Sequence, residues 1–337
     1  MGAAAADGFA MPPEWAPHER TLMAWPCRRD MWGRQLQAAY AEYAGVANAI
    51  VAFEPVTMVC ASLDDAAHAR ARLSGDVEIV RLPADDSWLR DSGPIFVVSG
   101  DGRRAGVHFG FNSWGGKFSP WDKDAAIGGL LVDLLGNSCY DATDFVLEGG
   151  SIGVDGTGLL ITTEQCLLAP TRNPDLGAAE IEQRLRESLG VSDVLWLGDG
   201  LVEDRDTDGH VDLIAAFTAA RELLLLSCPP GDPNHERMAE NRARAETAGL
   251  SVIDFPLLAR VEVGGEPVAM SYLNFYVANG CVVVPTAGTA SDREALERIA
   301  AAYPGREVIG TPGATTAWGG GGPHCITQQV PSPQIPS

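Results

Sequence analysis

The sequence predicts an α/β fold in which hairpin-bearing units repeat around a centre and the two ends of the chain close the ring. Three observations predict it. Strand and helix alternate at the start, a strand–turn–strand signal occurs four times, and one unpaired strand lies near each end. Radial repetition of this kind removes exposed sheet edges, as in a propeller.

The elements follow in order. Pro12-Pro13-Glu14-Trp15 through Trp25-Pro26 reads as an irregular lead-in holding one short strand, 21–25. Apolar residues at helical spacing predict a helix over 31–53, and Pro55 ends it. Strands at 56–60 and 77–82 flank a helix around 64–73. The first hairpin pairs 94–98 with 105–109 across Ser99-Gly100-Asp101-Gly102, and the second pairs 150–154 with 159–163 across Asp155-Gly156. The third pairs 211–217 with 222–227, and the fourth pairs 273–277 with 281–284 across Ala278-Asn279-Gly280. Asp-Gly and Asn-Gly between β-rich runs are hairpin signals. A further short strand follows each hairpin's neighbourhood, at 145–147, 194–197, 252–255 and 307–309. The repeat spacing, about 50–65 residues, is in or just above the range of repeat architectures. Strand 326–330 has no hairpin partner of its own, and strand 21–25 can supply one. The expected organisation is a disordered extension over 1–10, one catalytic domain over 11–331 and a tail over 332–337.

The 337 residues are 46% hydrophobic and 20% charged, an ordinary globular balance. Twenty-four Lys and Arg against 45 Asp and Glu give a net charge of −21. Such a surface repels nucleic acid and anionic membranes and favours small cations. Seven cysteines are scattered without a CxxC pair, which argues against a disulfide framework or structural zinc. The Ala-rich start lacks the layout of a secretion signal, and no apolar run reaches the roughly 20 residues of a membrane span. A cytoplasmic protein is expected.

If the units are radial, the polar residues just before each inner strand converge. These are Asp91, Glu148, His210 with Asp212, Asn274 and Cys325. His210 and Asp212 stand two apart, which on a strand puts both on one face. Trp88 and Asp91 bracket one strand's approach, placing a flat apolar wall beside a carboxylate. Trp318-Gly319-Gly320-Gly321-Gly322-Pro323-His324-Cys325 lacks the Gly-Lys-Ser/Thr of a phosphate loop. Its glycines instead suit close approach of a substrate to the Cys325 thiol. His324, next to Cys325, would point to the opposite face of a strand and is read as structural. A divalent metal on His210, Asp212 and Glu148 is the rival reading, but no HExxH or histidine cluster supports it. No metal and no cofactor are expected.

This constellation suits a guanidinium. Opposed carboxylates hold that planar cation through paired, charge-assisted hydrogen bonds. Asp91, Glu148 and Asp212 could do so, Trp88 could cover its face, and Cys325 could attack its carbon with His210 as acid and base.

Motifs along the chain carry a resemblance. They are Met11-Pro12-Pro13-Glu14-Trp15 with His18-Glu19, Met23-Ala24-Trp25-Pro26, Trp88-Leu89-Arg90-Asp91-Ser92-Gly93-Pro94, and Phe111-Asn112-Ser113-Trp114-Gly115-Gly116-Lys117. Leu147-Glu148-Gly149-Gly150-Ser151, Thr162-Thr163-Glu164-Gln165-Cys166, Asp208-Gly209-His210-Val211-Asp212 and His324-Cys325-Ile326-Thr327-Gln328-Gln329 complete them. The chain resembles the agmatine deiminase family of the guanidine-modifying superfamily, which is related to bacterial peptidyl-arginine deiminase. The resemblance implies a five-bladed, pseudo-symmetric α/β propeller (the pentein fold), often dimeric, and a metal-free covalent cysteine mechanism. It implies that agmatine and water give N-carbamoylputrescine and ammonia. It assigns Cys325 as nucleophile, His210 as acid and base, and Asp91, Glu148 and Asp212 to guanidinium binding or to positioning the base. Trp88, Trp114 and Gly322 are further expected substrate contacts. Two positions depart from the family pattern: Gly322-Pro323 stands where Asn and an aliphatic residue are expected, and Leu213 where Asn is. Other guanidino substrates therefore stay open.

Overall fold

A computed structural model describes residues 3–333. Five sheets share one pattern: an antiparallel pair, then a strand added in parallel. Ile95–Ser99 pairs antiparallel with Arg104–Gly110, which pairs parallel with Ser138–Val146. Gly153–Val154, Leu159–Thr163 and Asp193–Leu197 repeat that order, as do Ala215–Ala219, Glu222–Leu226 and Ser251–Phe255. Tyr276–Val277, Cys281–Thr286 and Glu307–Pro312 form the fourth instance. In the fifth, Thr327–Pro331 pairs antiparallel with His18–Ala24, which is followed in parallel by Val56–Cys60 and Glu78–Arg81. The last strand thus joins the first of the long strands, as the two orphan strands predict.

The helices lie between the second and third strands of these units, where a parallel pairing requires a crossover. Leu36–Ile50 buries Tyr40, Tyr43, Val46, Ala47 and Ile50 at helical spacing. The strands it covers are buried throughout: every residue of Val56–Cys60 is inaccessible. Continuous burial is what a strand covered on both faces needs, and it explains why VTMVC reads as an unbroken apolar-rich run. Among the described residues no helix is long and apolar enough to cross a membrane.

Four expectations are corrected. The proposed disordered extension over 1–10 is ordered where it is described: Ala4–Asp7 forms a 3-10 turn and Phe9–Ala10 pairs with Ile95–Ser99. Phe9 packs edge-on against Tyr140, with ring centres 5.8 Å apart, so the segment has an apolar anchor that its Ala-rich composition conceals. Residues 1–2, like 334–337 of the expected tail, lie outside the described residues. Second, His210 and Asp212 are not on a strand. Val211–Leu213 is a 3-10 turn, because Asp208 and Gly209 take left-handed φ values of 61° and 88° just before it. Asp204 Oδ2 holds the bend by accepting from the Gly209 and His210 amides. Third, the approach to strand Ile95–Ser99 that carries Asp91 is a helical turn, Leu89–Ser92, and not extended chain. Fourth, a hairpin not anticipated, Leu258–Val263 with Glu266–Ser271, forms a separate two-stranded sheet. Its turn, Gly264-Gly265, has φ of 62° and 91°, the double-glycine turn that favours tight hairpins.

Candidate active site

Asp91, Glu148, His210, Asp212, Asn274 and Cys325 each precede the first strand of a different or adjacent unit, and they meet at one buried locus. Gly150 is the pivot. Its amide donates to Asp91 Oδ1 at 2.8 Å. A Cβ there would lie 2.7 Å from His210 Nδ1, 2.8 Å from Asp212 Oδ2 and 3.0 Å from Asp91 Oδ1, so only glycine leaves room for three functional side chains.

Cys325 donates its thiol proton to Asp212 Oδ2 at 3.3 Å, and its amide faces Asn274 Oδ1 at 3.4 Å. Asn274 Nδ2 in turn donates to the Asp212 carbonyl. Burial, then the charges of Asp212 and Asp91, push the thiol pKa well above its ordinary value. Near neutral pH the Cys325 side chain is therefore a thiol, not a thiolate.

His210 is fully buried between Asp91 and Glu148, with Nδ1 3.9 Å from Asp91 Oδ1 and Nε2 3.7 Å from Glu148 Oε2. Neither ring nitrogen has a hydrogen-bond partner among the described residues. Burial opposes its charge, yet Asp91, Cys166 and Glu148 outweigh burial and hold its pKa well above the usual imidazole value. A buried, protonated imidazole with unused N–H groups is a poised acid. Asp91 is pushed up by burial and by Asp212 and Glu148, against the pull of His210. Trp114 Nε1 donates to Asp91 Oδ2 at 2.9 Å, so this tryptophan fixes the carboxylate as well as walling the slot.

The slot beside Cys325 is lined by Trp88, Asp91, Trp114, Asp206, Gly320 and Cys325. Trp88 stacks on Trp32, with centres 5.8 Å apart and planes 28° apart, which fixes its ring as a wall. The slot has a volume of about 10 Å³, and a larger cavity of about 460 Å³ shares Asp206 and Gly320 with its lining. Gly322 lines that larger cavity and backs onto Asn274; a Cβ there would lie 2.8 Å from Asn274 Oδ1.

Sequence reasoning passed over several residues here. Arg172 Nε donates to Glu148 Oε1 at 2.7 Å, while its other nitrogens reach Asp208 Oδ2 and the Thr207 carbonyl. Burial opposes the shift, but Arg172 and His210 hold Glu148 below the ordinary carboxylate range. Arg172 falls in a Pro- and Asn-rich loop with no periodicity, so nothing local marked it. Cys166 Sγ faces Glu148 Oε2 at 3.8 Å. Glu148, Cys166 and His210 offer ligand atoms within 4.8 Å of one another, a different trio from the predicted metal set. Arg172 already occupies one oxygen of Glu148, and burial raises the Cys166 thiol, so this trio suits a metal poorly. His324, expected on the far face of a strand, lies in a turn with Nδ1 2.8 Å from Asp212 Oδ2 and Nε2 2.6 Å from Glu14 Oε1.

Comparison with known proteins gives the site a context. Residues 10–331 match the family of Porphyromonas-type peptidyl-arginine deiminases. The chain is 42% identical to the agmatine deiminase of Pseudomonas aeruginosa (strain LESB58), over 98% of this chain and 97% of that protein. It is 41% identical to the agmatine deiminase of Ectopseudomonas mendocina (strain ymp), at the same coverage. Among solved structures it is similar to the agmatine deiminase of Enterococcus faecalis, with a TM-score of 0.93, 33% identity and 99% of each chain covered. It is also similar to a Cys-to-Ser variant of the C. jejuni agmatine deiminase with substrate bound, at a TM-score of 0.89, 26% identity and 96% of each chain.

Proposed function

Because the chain belongs to the Porphyromonas-type peptidyl-arginine deiminase family, we propose that it hydrolyses agmatine to N-carbamoylputrescine and ammonia through a covalent adduct on Cys325. The observation that carries this reading is the Cys325 thiol, held by one carboxylate and facing another across a slot walled by Trp88 and Trp114. A guanidinium lying between Asp91 and Asp212 neutralises the two charges that hold the thiol protonated. The thiol then ionises, its proton leaving by way of Asp212 Oδ2 to solvent, and its sulfur attacks the guanidinium carbon. His210 gives its proton to the departing nitrogen, ammonia leaves, and an S-alkylthiouronium remains. Neutral His210 next takes a proton from water as the water attacks that carbon. The C–S bond breaks, the thiolate regains a proton and the carbamoyl product leaves. Glu148, anchored by Arg172, keeps His210 oriented and cationic.

The substrate's far end points into the larger cavity. That cavity is acidic: Glu203, Asp204, Asp206 and Glu266 line it beside Arg205 and Arg260. Arg260 is engaged by Asp232 and Glu203. Asp206 borders both the slot and the cavity, and its carboxylate has no ion-pair partner among the described residues. It suits the distal ammonium of agmatine. Arg205 is the observation that favours a carboxylate-bearing guanidine instead.

The architecture we propose is a five-bladed propeller comprising residues 11–331 and the strand before them. Five sheets of one strand order, each delivering a polar residue to one locus, support it.

The test is ammonia release from agmatine, arginine and 4-guanidinobutyrate, with and without EDTA. Agmatine turnover insensitive to EDTA is expected, and Asp206→Asn should raise the agmatine KM by about tenfold, the worth of one charged contact. Turnover of 4-guanidinobutyrate without agmatine would move the assignment to Arg205. Activity that EDTA abolishes would move it to the Glu148–Cys166–His210 trio.

A further inference from the structure

We propose that His324 and Glu14 are positioning residues: the His324 ring, clamped between the Glu14 and Asp212 carboxylates, fixes Asp212 for both the thiol and the guanidinium. This deepens the reading above and rests on it for the identity of the cation.

The geometry dictates the protonation state. His324 Nδ1 lies 2.8 Å from Asp212 Oδ2, and Nε2 lies 2.6 Å from Glu14 Oε1. A neutral imidazole has one N–H and one lone pair. A lone pair facing a carboxylate oxygen at either distance would be repulsive, so both nitrogens carry protons and the ring is a cation. Two charge-assisted hydrogen bonds then hold it.

The consequence falls on Asp212. Its Oδ2 accepts from His324 and from the Cys325 thiol, while Oδ1 is buried with no partner among the described residues. An unpartnered buried carboxylate oxygen needs a donor. A guanidinium N–H supplies one, and only if the carboxylate is turned as His324 turns it. Without the clamp Asp212 could rotate and satisfy Oδ1 with the thiol or with Asn274, leaving nothing for substrate.

The surroundings keep the clamp charged. Arg90 stands beside it, with Nη1 3.6 Å from Glu14 Oε1 and Nε donating to the His324 carbonyl. His18 Nε2 meets the Glu14 carbonyl, and Tyr276 and Tyr303 lie near Glu14. On the ring's other side stands Asp212, which Cys325 and His210 act on in turn. Burial and the Arg90 charge both work against the His324 cation, but Glu14 and Asp212 outweigh them and hold its pKa above the usual value; against its own burial, Glu14 is drawn down to about 2 by His324 and Arg90. Glu14 therefore stays ionised throughout the range in which such an enzyme works.

The test uses His324→Gln, Glu14→Gln and Glu14→Asp in the full chain, with circular dichroism and Tm to establish folding. Two readouts are taken. The first is the pH dependence of kcat/KM for agmatine. The second is the pH dependence of Cys325 alkylation by iodoacetamide, which needs no substrate. His324→Gln should lower kcat/KM by about tenfold to hundredfold, the worth of one charge-assisted hydrogen bond. It should also move thiol alkylation to higher pH, since a cation near Asp212 is lost. Glu14→Gln should add an alkaline limb to kcat/KM as His324 becomes able to lose its proton, and Glu14→Asp should remove that limb. Folded His324→Gln and Glu14→Gln proteins with wild-type alkylation profiles would overturn the proposal. If the wild-type protein does not turn over agmatine, the substrate reading fails, and the alkylation profiles still decide the clamp.

Discussion

At Cys325 the sequence offers a thiol that the fold has made harder to ionise, which is the reverse of a free-standing activated cysteine. On the proposed mechanism, activation arrives with the substrate's own charge. Asp212→Asn removes one of the anions that raise the thiol, so the thiol pKa should fall. Iodoacetamide should then alkylate Cys325 faster in that variant than in wild type at about pH 7.5, while agmatine turnover is lost. Slower alkylation would mean that Asp212 activates the sulfur rather than restraining it. Cys325→Ser should keep the fold and lose activity by about 10⁴-fold or more, because a hydroxyl cannot be ionised by the same change in field. A serine variant that still releases ammonia would remove the covalent step. The residues at the heart of the site were legible because each ends a loop at the same place in its unit. His324 was misread by assuming that a strand ran through it. Arg172 and Asp206 were missed because loop residues carry no period, and only the folded chain shows what they touch.

Among the elements, the Gly319–Gly322 arch sets access to the thiol. A Cβ on Gly321 would lie 2.6 Å from Cys325 Sγ and 2.9 Å from Trp88, inside the space that a substrate must share. Gly321→Ala should therefore abolish turnover and block alkylation, and lower Tm by several degrees, since the clash is overpacking of about 1–3 kcal/mol in a buried site. A variant as active as wild type would place the substrate's approach elsewhere. The slot's volume, about 10 Å³, is close to that of a single water, so on the proposed mechanism a guanidinium enters only as the arch or its neighbours shift. Gly320, at φ 109°, is the residue of this arch whose backbone a side chain would strain. Most strands were legible from turn signals and β-branched runs. The turn that carries His210 was not, since VDL preceding IAAF scores as strand until Asp208 and Gly209 bend the chain. The Leu258–Ser271 hairpin was signalled by Gly264-Gly265, but a four-unit repeat left no place for an additional pair.

Across the whole molecule the charge of −21 has a measurable role if it steers a cation. Raising ionic strength from about 0.01 to 0.3 M shortens the Debye length from roughly 30 Å to well under 10 Å. The agmatine kcat/KM should fall several-fold over that range with kcat unchanged, and a flat response would confine the acidity to solubility. The repeat itself was legible because every unit obeys one order. What composition concealed was that the N-terminal segment belongs to the structure, through Phe9 on Tyr140 and through Glu14.

The pairing of Thr327–Pro331 with His18–Ala24 has a temporal meaning as well. Translation delivers Asp91, Glu148, His210 and Asp212 long before Cys325, the nucleophile of the proposed mechanism. The sulfur comes into register only when the last strand docks on one of the first, with the Glu14 segment beside it. On the proposed mechanism a ribosome-bound or prematurely terminated chain is silent, and the first competent molecule is the one whose last strand has docked on His18–Ala24.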